Sequence, residues 1–347
     1  MASDDSNPPL AQAYSKIHSR QTTCEHADMQ SEDESEIELP LIDVKSLTSE
    51  DNEERAKCAI EIARASSEWG FFQVVNHGVS PELLTQIRRE QVQLFNTSFS
   101  RKSTSGLLDN SYRWGTPTAT SPEDFSWSEA FHIPITKISD QSCYGEEFLS
   151  LREVMVEYAA EMQKLAKLLA GALVANLGEE WEDFDKMLSS CDDDDDDKST
   201  CFFRLNRYPT CTVLSTQEEE VYGLVPHTDT DLLTILEQDQ VGGLKLMKDS
   251  KWVTIKPRKD ALIVNIGDLF KAWSNNLYNS VEHKVMANPS MERYSVAYFL
   301  CPSYDALIKS SQQPSIYRDF TFEEYRNKVQ EDTKLIGRKI GLSRFLR

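Results

Sequence analysis

Two side chains in Pro226-His227-Thr228-Asp229 can bind a metal ion, and their spacing lets them do it together. An imidazole and a carboxylate two residues apart leave the same face of an extended strand, so both can reach one ion. A third ligand has to come from another strand, and His283 in Val281-Glu282-His283-Lys284-Val285 lies far enough along the chain to supply it. Two imidazoles and one carboxylate leave about three coordination positions open, the donor set of Fe(II) oxygen chemistry, whereas a structural zinc closes its shell with about four protein ligands. The spacing therefore favours iron(II) over zinc.

Ten residues after His283, beyond a turn at Asn288-Pro289, Arg293 and Ser295 repeat the two-residue step. A guanidinium beside a hydroxyl holds a buried carboxylate by a fork and one further hydrogen bond, each charge-assisted contact contributing about 1.5 to 3 kcal/mol. Asn206 and Tyr208 in Arg204-Leu205-Asn206-Arg207-Tyr208-Pro209 share one face of a further strand and add an amide and a phenol. Such a group fits the far end of a dicarboxylate.

The ordered set Trp69-Gly70-Phe71-Phe72-Gln73-Val74-Val75-Asn76-His77-Gly78-Val79, Asn206-x-Tyr208-Pro209, His227-x-Asp229, His283 and Arg293-x-Ser295 resembles the plant 2-oxoglutarate- and Fe(II)-dependent dioxygenases. The resemblance implies iron on His227, Asp229 and His283, and 2-oxoglutarate held at its distal carboxylate by Arg293, Ser295 and Tyr208, with Asn206 beside them. It also implies consumption of O2, release of succinate and CO2, and support of activity by ascorbate. Within that family, Ser111-Tyr112-Arg113-Trp114-Gly115, the segment 126–134 and Leu300-Cys301-Pro302-Ser303-Tyr304-Asp305 look like gibberellin 2-beta-dioxygenases, especially those acting on C20 gibberellins.

A gibberellin is a rigid apolar diterpenoid acid, and its pocket needs aromatic walls and a local cation or donor. Tyr112, Arg113, Trp114, Phe131 and His132 are the expected substrate contacts, although His132 reads equally as a half-buried strand residue. Alternatives are another dioxygenase of the same chemistry, such as a gibberellin 20- or 3-oxidase or a flavonoid oxidase, and a non-catalytic jelly roll that captures a small acid.

Positioning these groups requires several strands. From Thr200 to Pro302 short apolar runs alternate with Gly242-Gly243, Gly267 and Asn288-Pro289, the texture of a jelly roll, or double-stranded β-helix. The expected class is mainly β with α: this core, an α/β N-terminal region and supporting helices. Folding should start at Leu39-Pro40-Leu41-Ile42-Asp43, followed by a helix over Glu53 to Glu68, a strand over Phe71 to Asn76 and a helix from Pro81. Apolar residues from Met155 to Leu173 recur at helical steps, and Gly178 stands where that long helix should end. The expected organisation is a disordered acidic tail over 1–36, an N-terminal region over 37–145, the long helix and an acidic loop over 146–198, the jelly roll over 199–303 and a helical extension over 304–347. Trp252, Trp273 and Tyr298 read as core.

A net charge of −20 opposes nucleic acid and anionic lipid as partners. The seven cysteines form no CxxC pair and read as reduced, mostly buried thiols, and the six adjacent aspartates over 192–197 read as a solvated loop. With Asp4 and Asp5 in place of a basic signal segment, a cytoplasmic address, with a possible nuclear one, is expected. Oligomeric state is not legible from spacing.

Overall fold

The computed structural model describes residues 5–18, 36–104, 106–188, 199–213 and 220–347; the aspartate run and Glu218-Glu219 lie outside them. Its strands are β1 (Glu36–Ile37), β2 (Leu41–Asp43), β3 (Phe71–Val75), β4 (Tyr112–Trp114), β5 (Glu129–Pro134), β6 (Phe202–Tyr208), β7 (Tyr222–His227), β8 (Leu233–Gln238), β9 (Leu244–Lys248), β10 (Lys251–Ile255), β11 (Leu262–Ile266), β12 (His283–Met286) and β13 (Arg293–Leu300). The two sheets of the core run β1-β10-β9-β12-β7 and β2-β3-β11-β8-β13-β6-β5-β4, and Leu307–Ile308 (β14) pairs with Phe320–Thr321 (β15) in a small separate sheet. Leu224, His227, Leu244 and His283 from the first sheet and Asn206, Tyr208, Arg293 and Ser295 from the second line a single cavity, so the sheets close on each other as a jelly roll.

The larger sheet turns polar side chains to the cavity on its inner face and apolar ones outward, because its outer face carries helices. Phe203, Leu205 and Val296 are buried outward, against the helix Leu149–Leu177, whose Tyr158 ring lies 5.5 Å from Phe203. That helix follows the expected stripe and ends at Gly178, whose φ of 70° suits the left-handed C-terminal cap. The helices Asn52–Glu68 and Pro81–Phe95 pack beside it, the second opened by Ser80, whose hydroxyl accepts from Leu83 N–H, and by Pro81. Gln91 on this second helix donates to the carbonyls of Asn206 (3.1 Å) and Ser295 (2.8 Å), tying β6 and β13 together from behind. At the turn between β12 and β13, Asn288 Oδ1 accepts from Ser290 N–H and Met291 N–H. Tyr298 is buried, as expected; Trp252 and Trp273 are half-buried and outside the cavity lining. Among the described residues Cys58, Cys201, Cys211 and Cys301 are buried and form no disulfide.

The N-terminal segment departs from the expectation of a disordered tail. Leu10–His18 is a helix that packs Leu10, Ala13, Tyr14 and Ile17 on Phe125, Trp127 and Val221, because these apolar residues recur at helical spacing. Just before it, Ser6 and Asn7 join a buried charge network. Glu129 on β5 lies 2.6 Å from both Lys102 Nζ and Arg207 Nη1, and all three side chains are fully buried. Arg207 also donates to Asn7 Oδ1 (2.9 Å) and pairs with Glu292 (2.5 Å), while Lys102 donates to the Ser6 carbonyl (2.8 Å). Glu129→Ala leaves two buried cations without their shared anion, so unfolding stability should fall by about 3 to 5 kcal/mol, read from the denaturant midpoint.

Candidate metal and dicarboxylate site

His227 ends β7 and His283 begins β12, and the two are directly paired across these strands, with ring centroids 4.3 Å apart. Asp229 sits two residues past the end of β7. Its Oδ1 lies 3.6 Å from His227 Nε2 and 3.8 Å from His283 Nε2, and the three ligand atoms fall within 4.8 Å of one another.

Each ligand is oriented by a second contact. The Nδ1 of His227 faces the Val225 carbonyl at 2.8 Å and that of His283 faces the Val281 carbonyl at 3.1 Å. A carbonyl only accepts, so both Nδ1 atoms carry hydrogen and both Nε2 lone pairs point at the shared centre. Asp229 Oδ2 accepts from Asn265 Nδ2 and Thr234 Oγ1, each at 2.7 Å, leaving Oδ1 for the ion. Burial and the neighbouring His283 push the His227 pKa down to about 3, which keeps its nitrogen unprotonated. Burial alone would raise the Asp229 pKa, but His283, His227 and the two hydrogen bonds outweigh it and pull it down to about 2.

Thr234 Oγ1 also lies 2.8 Å from Asp231 Oδ2. One hydroxyl has one proton, so Thr234 serves one of the two carboxylates at a time, and burial and the neighbouring Asp229 raise the Asp231 pKa. Gly267 has to be glycine here, since a Cβ on it would stand 2.1 Å from Asp231 Oδ1. The loop is clamped from outside by Asp268, which accepts from Thr228 Oγ1 (3.0 Å), Ser280 Oγ (2.7 Å) and Lys339 Nζ (2.6 Å); Lys339 also donates to the Thr228 carbonyl (2.6 Å).

Deeper along the cavity β13 pairs with β6, Arg293 opposite Tyr208 and Ser295 opposite Asn206. The Arg293 guanidinium lies 4.8 Å from the Tyr208 ring centre, donates to Gln238 Oε1 at 2.7 Å and reaches Ser295 Oγ at 3.5 Å. Arg293 is 2% exposed and, among the described residues, no carboxylate lies within ion-pair distance of it. Its Nε and the Asn206 Oδ1 are buried without partners. A buried cation in that state is several kcal/mol unfavourable unless an anion joins it, so the donors fit a carboxylate, and the three ligands fit a divalent ion with open positions.

The cavity, of about 280 Å3, brings together His227, Asp229, His283, Arg293, Ser295, Asn206, Tyr208 and His132. Tyr112, Trp114 and Phe131 do not reach it, contrary to expectation. Side chains alternate along β4 and β5, and these three point to the helix side, where Phe131 lies 5.5 Å from Phe95, Trp114 lies 5.7 Å from Phe99, and the Tyr112 hydroxyl donates to Glu129. Arg113, opposite Ala130, shares the inward face with His132. Thr234, Asn265, Gln238 and Arg204 were not singled out from the sequence. The available signal was a lone polar residue inside an apolar strand, as Thr234 is in Leu232-Leu233-Thr234-Ile235-Leu236 and Asn265 is in Ala261-Leu262-Ile263-Val264-Asn265-Ile266.

Residues 199–302 match the 2OG-Fe(II) oxygenase superfamily, and residues 39–150 match the N-terminal region of non-haem dioxygenases described from morphine synthesis. Gibberellin 2-beta-dioxygenase 6 of Oryza sativa subsp. japonica is 54% identical over 90% of this chain and 86% of its own length. Gibberellin 2-beta-dioxygenase 8 of Arabidopsis thaliana is 52% identical over 90% and 88%. Among solved structures, JOX2 in complex with 2OG, Fe and JA superposes with a TM-score of 0.71 at 29% identity, covering 90% of this chain and 92% of that one.

Proposed function

The chain belongs to the 2-oxoglutarate- and Fe(II)-dependent oxygenase superfamily, among the gibberellin 2-beta-dioxygenases, and from that premise we propose that it inactivates C20 gibberellins by 2β-hydroxylation. The observation that carries the cosubstrate half is the buried, unpaired Arg293 beside the His227, Asp229 and His283 cluster. Arg293, Ser295, Tyr208 and Asn206 bind the distal carboxylate of 2-oxoglutarate. His227, Asp229 and His283 hold the iron, with Asn265, Thr234 and the Val225 and Val281 carbonyls fixing which atoms face it. When bound, the iron supplies the redox chemistry by which O2 and 2-oxoglutarate give succinate, CO2 and a hydroxylated substrate.

Among the described residues no helix is long and apolar enough to cross a membrane. The proposed setting is the cytoplasm, with small-molecule ligands only. Product analysis by mass spectrometry across C20 and C19 gibberellins tests the substrate: turnover of C20 substrates to products one oxygen heavier at C2 is expected, and no added oxygen at C2 of any gibberellin would remove the assignment.

A further inference from the structure

A cation that lines a cavity without a counter-ion indicates what the cavity takes in. Two other enclosed arginines of this fold are ion-paired, Arg88 with Glu237 and Arg207 with Glu129 and Glu292. Among the described residues that line the cavity, Arg293 and Arg204 are not, and the one carboxylate in that lining is the metal ligand Asp229. Arg293 is accounted for by 2-oxoglutarate. Arg204 lies four residues from Tyr208 on the same inward face of β6, roughly 13 Å away at the rise of a strand.

Arg204 is directly opposite His132 in the β5–β6 pairing. The His132 ring stacks on Phe202 at 4.0 Å, and Phe202 stacks on Phe299 at 4.3 Å, a continuous apolar wall beside the guanidinium. Arg113 shares this face, and Arg326, on the helix Phe322–Ile336, is held nearby with its guanidinium 5.3 Å from the Tyr304 ring. Burial and the Arg204, Arg326 and Arg113 cations hold the His132 pKa well below its ordinary value, so the imidazole is neutral and the charge at this end belongs to the arginines. Among the described residues none of the three has a carboxylate within ion-pair distance; Arg113 donates to the Asn110 and Tyr112 carbonyls and Arg326 to the Tyr304 hydroxyl, so in a chain of net charge −20 they form a local attractive site.

We propose that Arg204, flanked by Arg113 and Arg326, anchors the carboxylate of the substrate, with its apolar rings against Phe202 and Phe299. The site thus takes a bulky apolar acid at the end of the cavity away from Arg293. Only the identity of that acid rests on the gibberellin reading.

The test titrates three acids, a gibberellin, a jasmonate and an auxin, and their methyl esters into protein carrying manganese(II) and 2-oxoglutarate, by calorimetry. Wild type, Arg204→Met and Arg204→Lys are compared, together with their 2-oxoglutarate affinities. Wild type should bind at least one acid about tenfold or more tighter than its ester. Arg204→Met should lose that preference while binding the ester and 2-oxoglutarate as wild type does, and Arg204→Lys should keep part of it, because a point charge replaces a fork. No acid preference in wild type, or an undiminished preference in Arg204→Met, overturns the anchor. If Arg204→Met also loses 2-oxoglutarate, Arg204→Lys decides: reduced preference supports the anchor and undiminished preference overturns it. If the preferred acid is not the gibberellin, the anchor stands and the substrate assignment falls.

Discussion

Replacing Arg293 with alanine is expected to weaken 2-oxoglutarate binding by about a hundredfold or more while changing gibberellin affinity by less than about threefold. The asymmetry follows from position. Arg293 touches Gln238, Ser295 and the face of Tyr208 at one end of the cavity, and its Nε has no partner within the chain. Two charge-assisted bonds at about 1.5 to 3 kcal/mol each set the size of the loss. Arg293→Lys should recover only part of it, since an ammonium cannot reproduce the fork. Separate titrations of cosubstrate and gibberellin decide the point, and equal losses in both would contradict the role given to Arg293.

Asp229→Ala is expected to lower iron(II) affinity and 2-oxoglutarate turnover by more than about a hundredfold, beyond the tenfold to hundredfold that outer contacts typically carry. Asp229 is the one carboxylate among the three ligands, and its Oδ1 lies between two Nε2 atoms less than 4 Å away. Asn265→Ala should give the intermediate effect, because the carboxylate then remains but loses one of the two donors that aim it. Anaerobic metal titration reads both variants. Iron affinity within about twofold of wild type in Asp229→Ala would exclude the residue as a ligand.

The centre was legible in the sequence because its residues come in two-residue steps on strands. His227 and Asp229, Arg293 and Ser295, and Asn206 and Tyr208 each share a face wherever the strand lies, and all of them meet in one cavity. The substrate wall was less legible. On β5 an aromatic ring occurs on each face, Phe131 against Phe95 on the helix side and His132 at the more open cavity side, and alternation alone does not say which face meets the substrate. Arg204 was hidden too, since the sequence does not separate it from its neighbour Arg207, which is fully buried and spends its charge on Glu129 and Glu292. The N-terminal helix was masked by the polar composition around it, although Leu10, Ala13, Tyr14 and Ile17 carry a helical period. The clamp of Lys339 and Asp268 on Thr228 joins residues far apart in the chain and leaves no local pattern.

The central claim is that this protein couples decarboxylation of 2-oxoglutarate to hydroxylation of a gibberellin. Turnover under 18O2 with iron(II), 2-oxoglutarate and a C20 gibberellin, followed by mass spectrometry of both products, tests it most directly. One labelled oxygen in the gibberellin at C2 and one in succinate, in equal amounts, is the predicted result; succinate formed at the same rate without gibberellin, with the gibberellin recovered unlabelled, would contradict it.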